Sequence, residues 1–126
     1  GKGKAIYSTG QFEKFPHCEE VFIKLVRYLC GDSFILASDA PKPVEITLFE
    51  QADKNRLIIN LLNFQKELPN IPIETIRIKI RLNGKKVKEL ELLPEEKSYD
   101  YIVVDGTIEF STPKLNDFLM FALYFD

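Results

Sequence analysis

This chain has no tryptophan, one histidine (His17), one methionine and two cysteines, and each shortage removes a class of chemistry. Structural and catalytic metal sites draw on several His and Cys side chains, and here one imidazole and two thiols are all there is. No metal and no cofactor are expected. A nucleophilic dyad would have to pair Cys18 with His17, yet neighbouring residues on a helix point in different directions. Without Trp, and with five tyrosines in no evident row, no stacking platform for bases or sugars stands out. Charge of one sign is also scarce: 17 Lys and Arg against 19 Asp and Glu leave a formal net charge of −2. Nucleic acid binds chiefly through phosphate neutralisation, so it is not an expected partner. No apolar run approaches the ~20 residues that span a bilayer, and the opening GKGKAIYSTG lacks the apolar centre of a signal peptide. A membrane is not expected either.

The two cysteines, Cys18 and Cys30, fall within one stretch that reads as a helix, which holds them roughly 18 Å apart at 1.5 Å per residue. They cannot pair with each other there. Two reduced thiols suit a reducing compartment, and the cytoplasm is the expected location.

What the sequence does contain is ordered patterning. A 45% hydrophobic and 29% charged composition is that of a folded globular chain. Lys4–Ser8 (KAIYS) reads as a short strand. In FPHCEEVFIKLVRYLCG, Pro16 suits a first helical position, Glu19 and Glu20 suit the opening turns, and Gly31 suits the stop. Val21, Phe22, Leu25, Val26 and Leu29 make one apolar stripe at helical spacing. Then SFILAS reads as extended, and Pro41 and Pro43 forbid helix. A domain boundary is placed here, giving 1–40 and 41–126.

Beyond it the period falls to two. Val44, Ile46 and Leu48 share one face of VEITLFEQ; the turn ADKN then leads into RLIINLLNF, which reads as a hairpin. Ile76, Ile78, Ile80 and Leu82 alternate without error with Arg77, Lys79 and Arg81. Asn83-Gly84 turns the chain into KVKELELL, where Val87 shares parity with Glu89 and Glu91 while Leu90 and Leu92 take the other. Asp105-Gly106 is a strong two-residue hairpin signal between YDYIVV and TIEFS. The final DFLMFALYFD is apolar on both parities, so both its faces should be covered, with the helix stripe the obvious candidate. The fold class is therefore mainly β: a small antiparallel β-sandwich preceded by one strand and one amphipathic helix.

Chemical candidates are few. Asp100, Asp105, Glu109 and Asp117 could be imagined as an acid and base pair. Turn and strand positions explain them, and nothing in the sequence places two across a cleft at the roughly 5–10 Å a glycosidase uses. Ser8, Ser33, Ser38, Ser98 and Ser111 lie in no nucleophile-elbow context, and GKGK lacks the spacing of a phosphate loop. No catalytic, cofactor-binding or metal-binding residue is assigned. Arg77, Lys79, Arg81, Lys85, Lys86 and Lys88 form a basic cluster on two strands, read as a solvated face that also guards against edge association. Asn60 and Asn63 interrupt a greasy strand but have opposite parity, so they cannot form one site. Asn63 is expected to bond loop backbone near Pro69, and Asn60 to be a polar group at a domain contact.

Three stretches carry a resemblance. GKGKAIYSTG with HCEEVFIKLVRYLCG is similar to the closing strand and helix of an amidotransferase-like trimerisation domain. APKPVEITLFEQADKNRLIINLLNFQ is similar to the first hairpin of the sandwich that follows such a domain, with its Leu-Leu-Asn-Phe motif at Leu61, Leu62, Asn63 and Phe64. IPIETIRIKIRLNGKKVKELELLPEE and GTIEFSTPKLNDFLMFALYFD are similar to the later strands. Taken together, the chain resembles the C-terminal region of bacterial glycoside hydrolases of the β-galactosidase type. The resemblance implies a non-catalytic accessory sandwich whose partners are the upstream domains of a parent enzyme, or a second copy met through the helix or last strand. A carbohydrate-binding module is the alternative, and a carbohydrate ligand is its implied partner.

Overall fold

The computed structural model describes residues 3–11, 14–15, 17–31 and 34–126. Pro16, Ser33 and the Gly1-Lys2 of GKGK lie outside them. The chain divides between Phe34 and Ile35 into two units.

In the first unit, α1 spans Glu19–Cys30. Glu19 and Glu20 occupy its first turn and Arg27 its last, each sign favourable to the helix dipole. Gly31 follows at φ 65°, a backbone state that glycine adopts without steric cost. None of its residues is buried, and Val21, Phe22 and Leu29 of the apolar stripe are exposed. Lys4–Ser8, expected as a strand, forms none. A short apolar segment can extend, but it becomes a strand only where its N–H and C=O groups find a neighbouring ladder. Lys4 instead reaches back to α1, donating from Nζ to the Tyr28 carbonyl at 3.3 Å and lying over the Tyr28 ring. Cys18 and Cys30 are both free thiols.

The second unit is an antiparallel sandwich of nine strands: β1 (Leu36–Ser38), β2 (Val44–Gln51), β3 (Arg56–Asn63), β4 (Arg77–Arg81), β5 (Val87–Leu93), β6 (Lys97–Ser98), β7 (Ile102–Val104), β8 (Thr107–Ser111) and β9 (Phe118–Phe125). One sheet runs β1-β4-β8-β7 and the other β2-β3-β9-β5-β6. The boundary expected at 40/41 is thus earlier. β1 pairs with β4, and Asp39 continues the ladder by bonding the Arg77 backbone, so these residues belong to the sandwich.

Strand alternation sets the core. Ile76, Ile78, Ile80 and Leu82 meet Ile108 and Phe110 from their own sheet, Leu115 from the loop before β9, and Ile59, Leu61, Leu90, Phe121, Leu123 and Phe125 from the other sheet. Full burial of each such side chain contributes about 1.5–3 kcal/mol. In β5 a register shift between Val87 and Glu89 resolves the conflicting parities: Val87 lies opposite Phe125 and Leu90 opposite Leu123, so both reach the core. The extra residue of a bulge rotates the strand in this way.

Two dipeptide turns behave differently. Asp105 (φ 49°) and Gly106 (φ 73°) join β7 to β8 as the hairpin expected. Asn83 (φ 51°) and Gly84 (φ 84°) also turn, but they carry the chain from β4 in one sheet to β5 in the other. The basic cluster consequently straddles two sheets and is no single strand-pair face.

Candidate functional site

Parity alone puts Arg77, Lys79 and Arg81 on the outer face of the four-stranded sheet, where all three are exposed. Three of the six residues of the basic cluster are matched by carboxylates. Arg77 Nε lies 3.2 Å from Asp39 Oδ2, Lys79 Nζ 2.7 Å from Glu109 Oε1, and Lys85 Nζ bonds Glu50 while sitting over the Phe125 ring. The Arg77 backbone N–H, donated to Asp39 at 2.7 Å, holds that carboxyl below its ordinary 3.8, with the guanidinium adding to the effect. These contacts support an ion-paired, solvated face.

The asparagines separate as their parity requires. Asn63 is buried at 2% exposure and acts as a hub. Its Nδ2 donates to the carbonyls of Ile71 (3.1 Å) and Asn116 (2.7 Å), and its Oδ1 accepts from Gln65 Nε2 (2.9 Å). Asn70 Nδ2 donates to the Asn63 carbonyl and to Asp117 Oδ1. One side chain thereby ties the loop after β3 to the loop before β9, adding to the single backbone bridge between Ile73 and Leu115 that also joins them. Asn60 is half-buried on the opposite face and donates to Thr47 Oγ1 at 3.3 Å.

Asn60 belongs to the outer face of the five-stranded sheet. Cross-strand register lines up Phe49 with Ile58 and Ala122, Thr47 with Asn60 and Met120, and Glu45 with Leu62 and Phe118. Phe49, Leu62 and Phe118 remain 58%, 38% and 52% exposed. On the second parity of β9, Ala122 is thus buried beside Ile58, while Phe118 with Leu62 on one side and Phe49 on the other stay open to solvent.

A polar concavity lies where the chain crosses between sheets. β6 pairs with the edge of β5 (Glu91 with Ser98, Leu92 with Lys97), and after three intervening residues Ile102 opens β7 opposite Glu109. Tyr99 anchors the crossing. Its backbone N–H donates to the Leu90 carbonyl at 2.8 Å, and its hydroxyl donates to the Ser111 carbonyl at 2.9 Å, one bond to each sheet. Its ring meets Phe121 edge-on at 5.2 Å and Phe110 at 6.5 Å. Burial pushes the Tyr99 hydroxyl above its ordinary 10.0, and the nearby Asp100 charge pushes the same way, so it stays a donor.

Around this anchor a cleft of about 600 Å³ opens, lined by Arg77, Lys97, Ser98, Asp100, Tyr101 and Glu109 together with Ser111. Of the four carboxylates weighed from sequence, Asp100 and Glu109 are brought to one cleft. Asp105 stays in its turn and Asp117 accepts from Asn70. Ser98 and Ser111 also reach the cleft, whereas Ser8 bonds Gly10 and Ser38 bonds the Ala40 backbone. Sequence reasoning missed this constellation because its members come from β4, β6, β8 and the crossing. The short YDY run was its one local trace.

No protein-family model matches the chain, and no curated protein matches it. Among solved structures it is similar to α-L-fucosidase isoenzyme 2 from Paenibacillus thiaminolyticus, at 22% identity and a TM-score of 0.74. The likeness is one of fold. It covers 86% of this chain but 18% of the fucosidase. Ile35–Asp126 makes up under three-quarters of the 126 residues, so the likeness also takes in part of the first unit.

Proposed function

We propose that this chain is a non-catalytic accessory sandwich of a glycoside hydrolase, preceded by the closing piece of an upstream domain and packed against the catalytic part or a neighbouring subunit. The observation that carries this reading is the fold likeness to a small part of a fucosidase, reaching across both units. The sequence resemblance to β-galactosidase-type enzymes points to the same class of parent while differing in sugar. The outer face of the five-stranded sheet gives the reading a surface, because Phe49, Leu62 and Phe118 are half wet as they stand. Covering an apolar side chain contributes up to about 1.5–3 kcal/mol, in proportion to the area removed from water.

The purified chain, assayed against aryl α-L-fucosides and aryl β-D-galactosides, is expected to release no aryl alcohol above the buffer blank. Turnover would overturn the non-catalytic assignment. Sequencing the gene supplies the second arm: a reading frame continuous with a catalytic barrel upstream supports the proposal, and an in-frame stop directly before Gly1 refutes it.

A further inference from the structure

Going beyond an accessory role, we infer that the cleft at the sheet crossing is a binding site for a neutral, polyhydroxylated ligand, a mono- or disaccharide unit. The argument starts from which polar groups are already committed. Arg77 spends Nε on Asp39, and Glu109 spends Oε1 on Lys79, which leaves the remaining guanidinium donors and Glu109 Oε2. The side chains of Lys97, Ser98 and Asp100 make no hydrogen bond or ion pair with another described residue, and all three are exposed in the cleft. Donors and acceptors therefore stand side by side with nothing satisfying them internally.

Their charges decide the class of ligand. Arg77 and Lys97 are cationic, Asp100 and Glu109 anionic, so the lining has no net charge to attract a phosphate or a polyanion. A metal ion would meet a guanidinium and an ammonium beside its carboxylates. A hydroxyl group both donates and accepts, and a row of them is what a balanced set of carboxylate, guanidinium, ammonium and serine side chains can bond in full. Tyr99 and Tyr101 add the apolar component, since a sugar ring presents C–H groups to aromatic surface. The volume, about 600 Å³, lies within the roughly 300–1,000 Å³ of small-molecule sites. Tyr99 also gives the site rigidity: bonds to both sheets and two aromatic contacts fix the floor on which the free groups sit.

Isothermal titration of the full chain with D-galactose, L-fucose, D-xylose and D-glucose, with inorganic phosphate as the anionic probe, tests the inference. Saturable binding of at least one sugar and none of phosphate is expected. Asp100→Ala and Lys97→Ala, both at exposed positions that make no internal hydrogen bond or ion pair, are expected to weaken it about tenfold or more while leaving the thermal midpoint unchanged. Arg81→Ala, outside the cleft, should leave binding intact. The site is refuted if no sugar saturates, if phosphate binds instead, or if sugar binding survives both cleft variants unchanged. Because the readout is binding by this chain alone, its failure leaves the accessory assignment standing, and turnover of an aryl glycoside would sink that assignment without touching this one.

Discussion

Replacing Asn63 by alanine tests how the sandwich holds its long loops. The substitution removes three hydrogen bonds, those to the Ile71 and Asn116 carbonyls and the one from Gln65. At about 0.5–1.5 kcal/mol net for each, with an added cost for any carbonyl left dry, the loss is about 2–4 kcal/mol. Ile71 keeps a partner, because Gln65 Nε2 also donates to its carbonyl at 2.6 Å. The Asn116 carbonyl has no such second donor among the described hydrogen bonds, so its contact is the one that decides. Against a total of roughly 5–15 kcal/mol for a domain, this is a large fraction. For a domain of this size it corresponds to a fall in Tm of roughly 10–25 °C. The control is Asn60→Ala, which loses one 3.3 Å bond at a half-buried position and should cost under about 0.5 kcal/mol. Urea unfolding followed by circular dichroism reads both. Equal losses for the two variants, or a loss below about 1 kcal/mol for Asn63→Ala, would refute the claim that Asn63 organises the loops. A double-mutant cycle with Gln65→Ala should show coupling, since the two side chains share the Ile71 carbonyl.

Phe121 is fully buried and packs at 5.1 Å from Phe110 and 5.2 Å from Tyr99, so Phe121→Ala should cost about 3–5 kcal/mol; denaturant midpoints measure this, and a loss under about 1.5 kcal/mol would show that the two sheets do not meet there as described. Asp39 has a pKa lowered mainly by the Arg77 backbone N–H. Its contribution is therefore present above the ordinary carboxylate pKa and is lost as pH falls through the lowered value. Asp39→Asn should accordingly lie below the parent in Tm at neutral pH, with the gap closing under acid; a gap that widens with acidity would contradict the assigned cause.

Local signals in the sequence were read correctly where the physics was local. Asp105-Gly106 needed only a backbone that tolerates positive φ at two successive residues, and β4 needed only an unbroken alternation of isoleucine with cations. Lys4–Ser8 read as a short strand and formed none, since a ladder requires a partner edge that the segment itself does not encode. Asn83-Gly84 was legible as a turn, yet nothing in the dipeptide says that the next strand joins the other sheet. The β5 bulge was equally hidden: only the fixed positions of Phe125 and Leu123 on β9 make it necessary for Val87 and Leu90 both to face inward.

The sequence by itself determined that β2, β3, β4, β8 and β9 are strands, which side of β4 is apolar, and that Asn60 and Asn63 must part. Side chains alternate along any extended backbone, so a face is a local property. Only the tertiary structure decided which strands are neighbours, and with them the cleft. Tyr99 acquires its meaning from Leu90 and Ser111, Asp100 from Arg77 and Glu109, and Asn63 from Asn116. These pairings follow from closing two sheets over one core, a condition that involves the whole sandwich and is written in no single stretch of it.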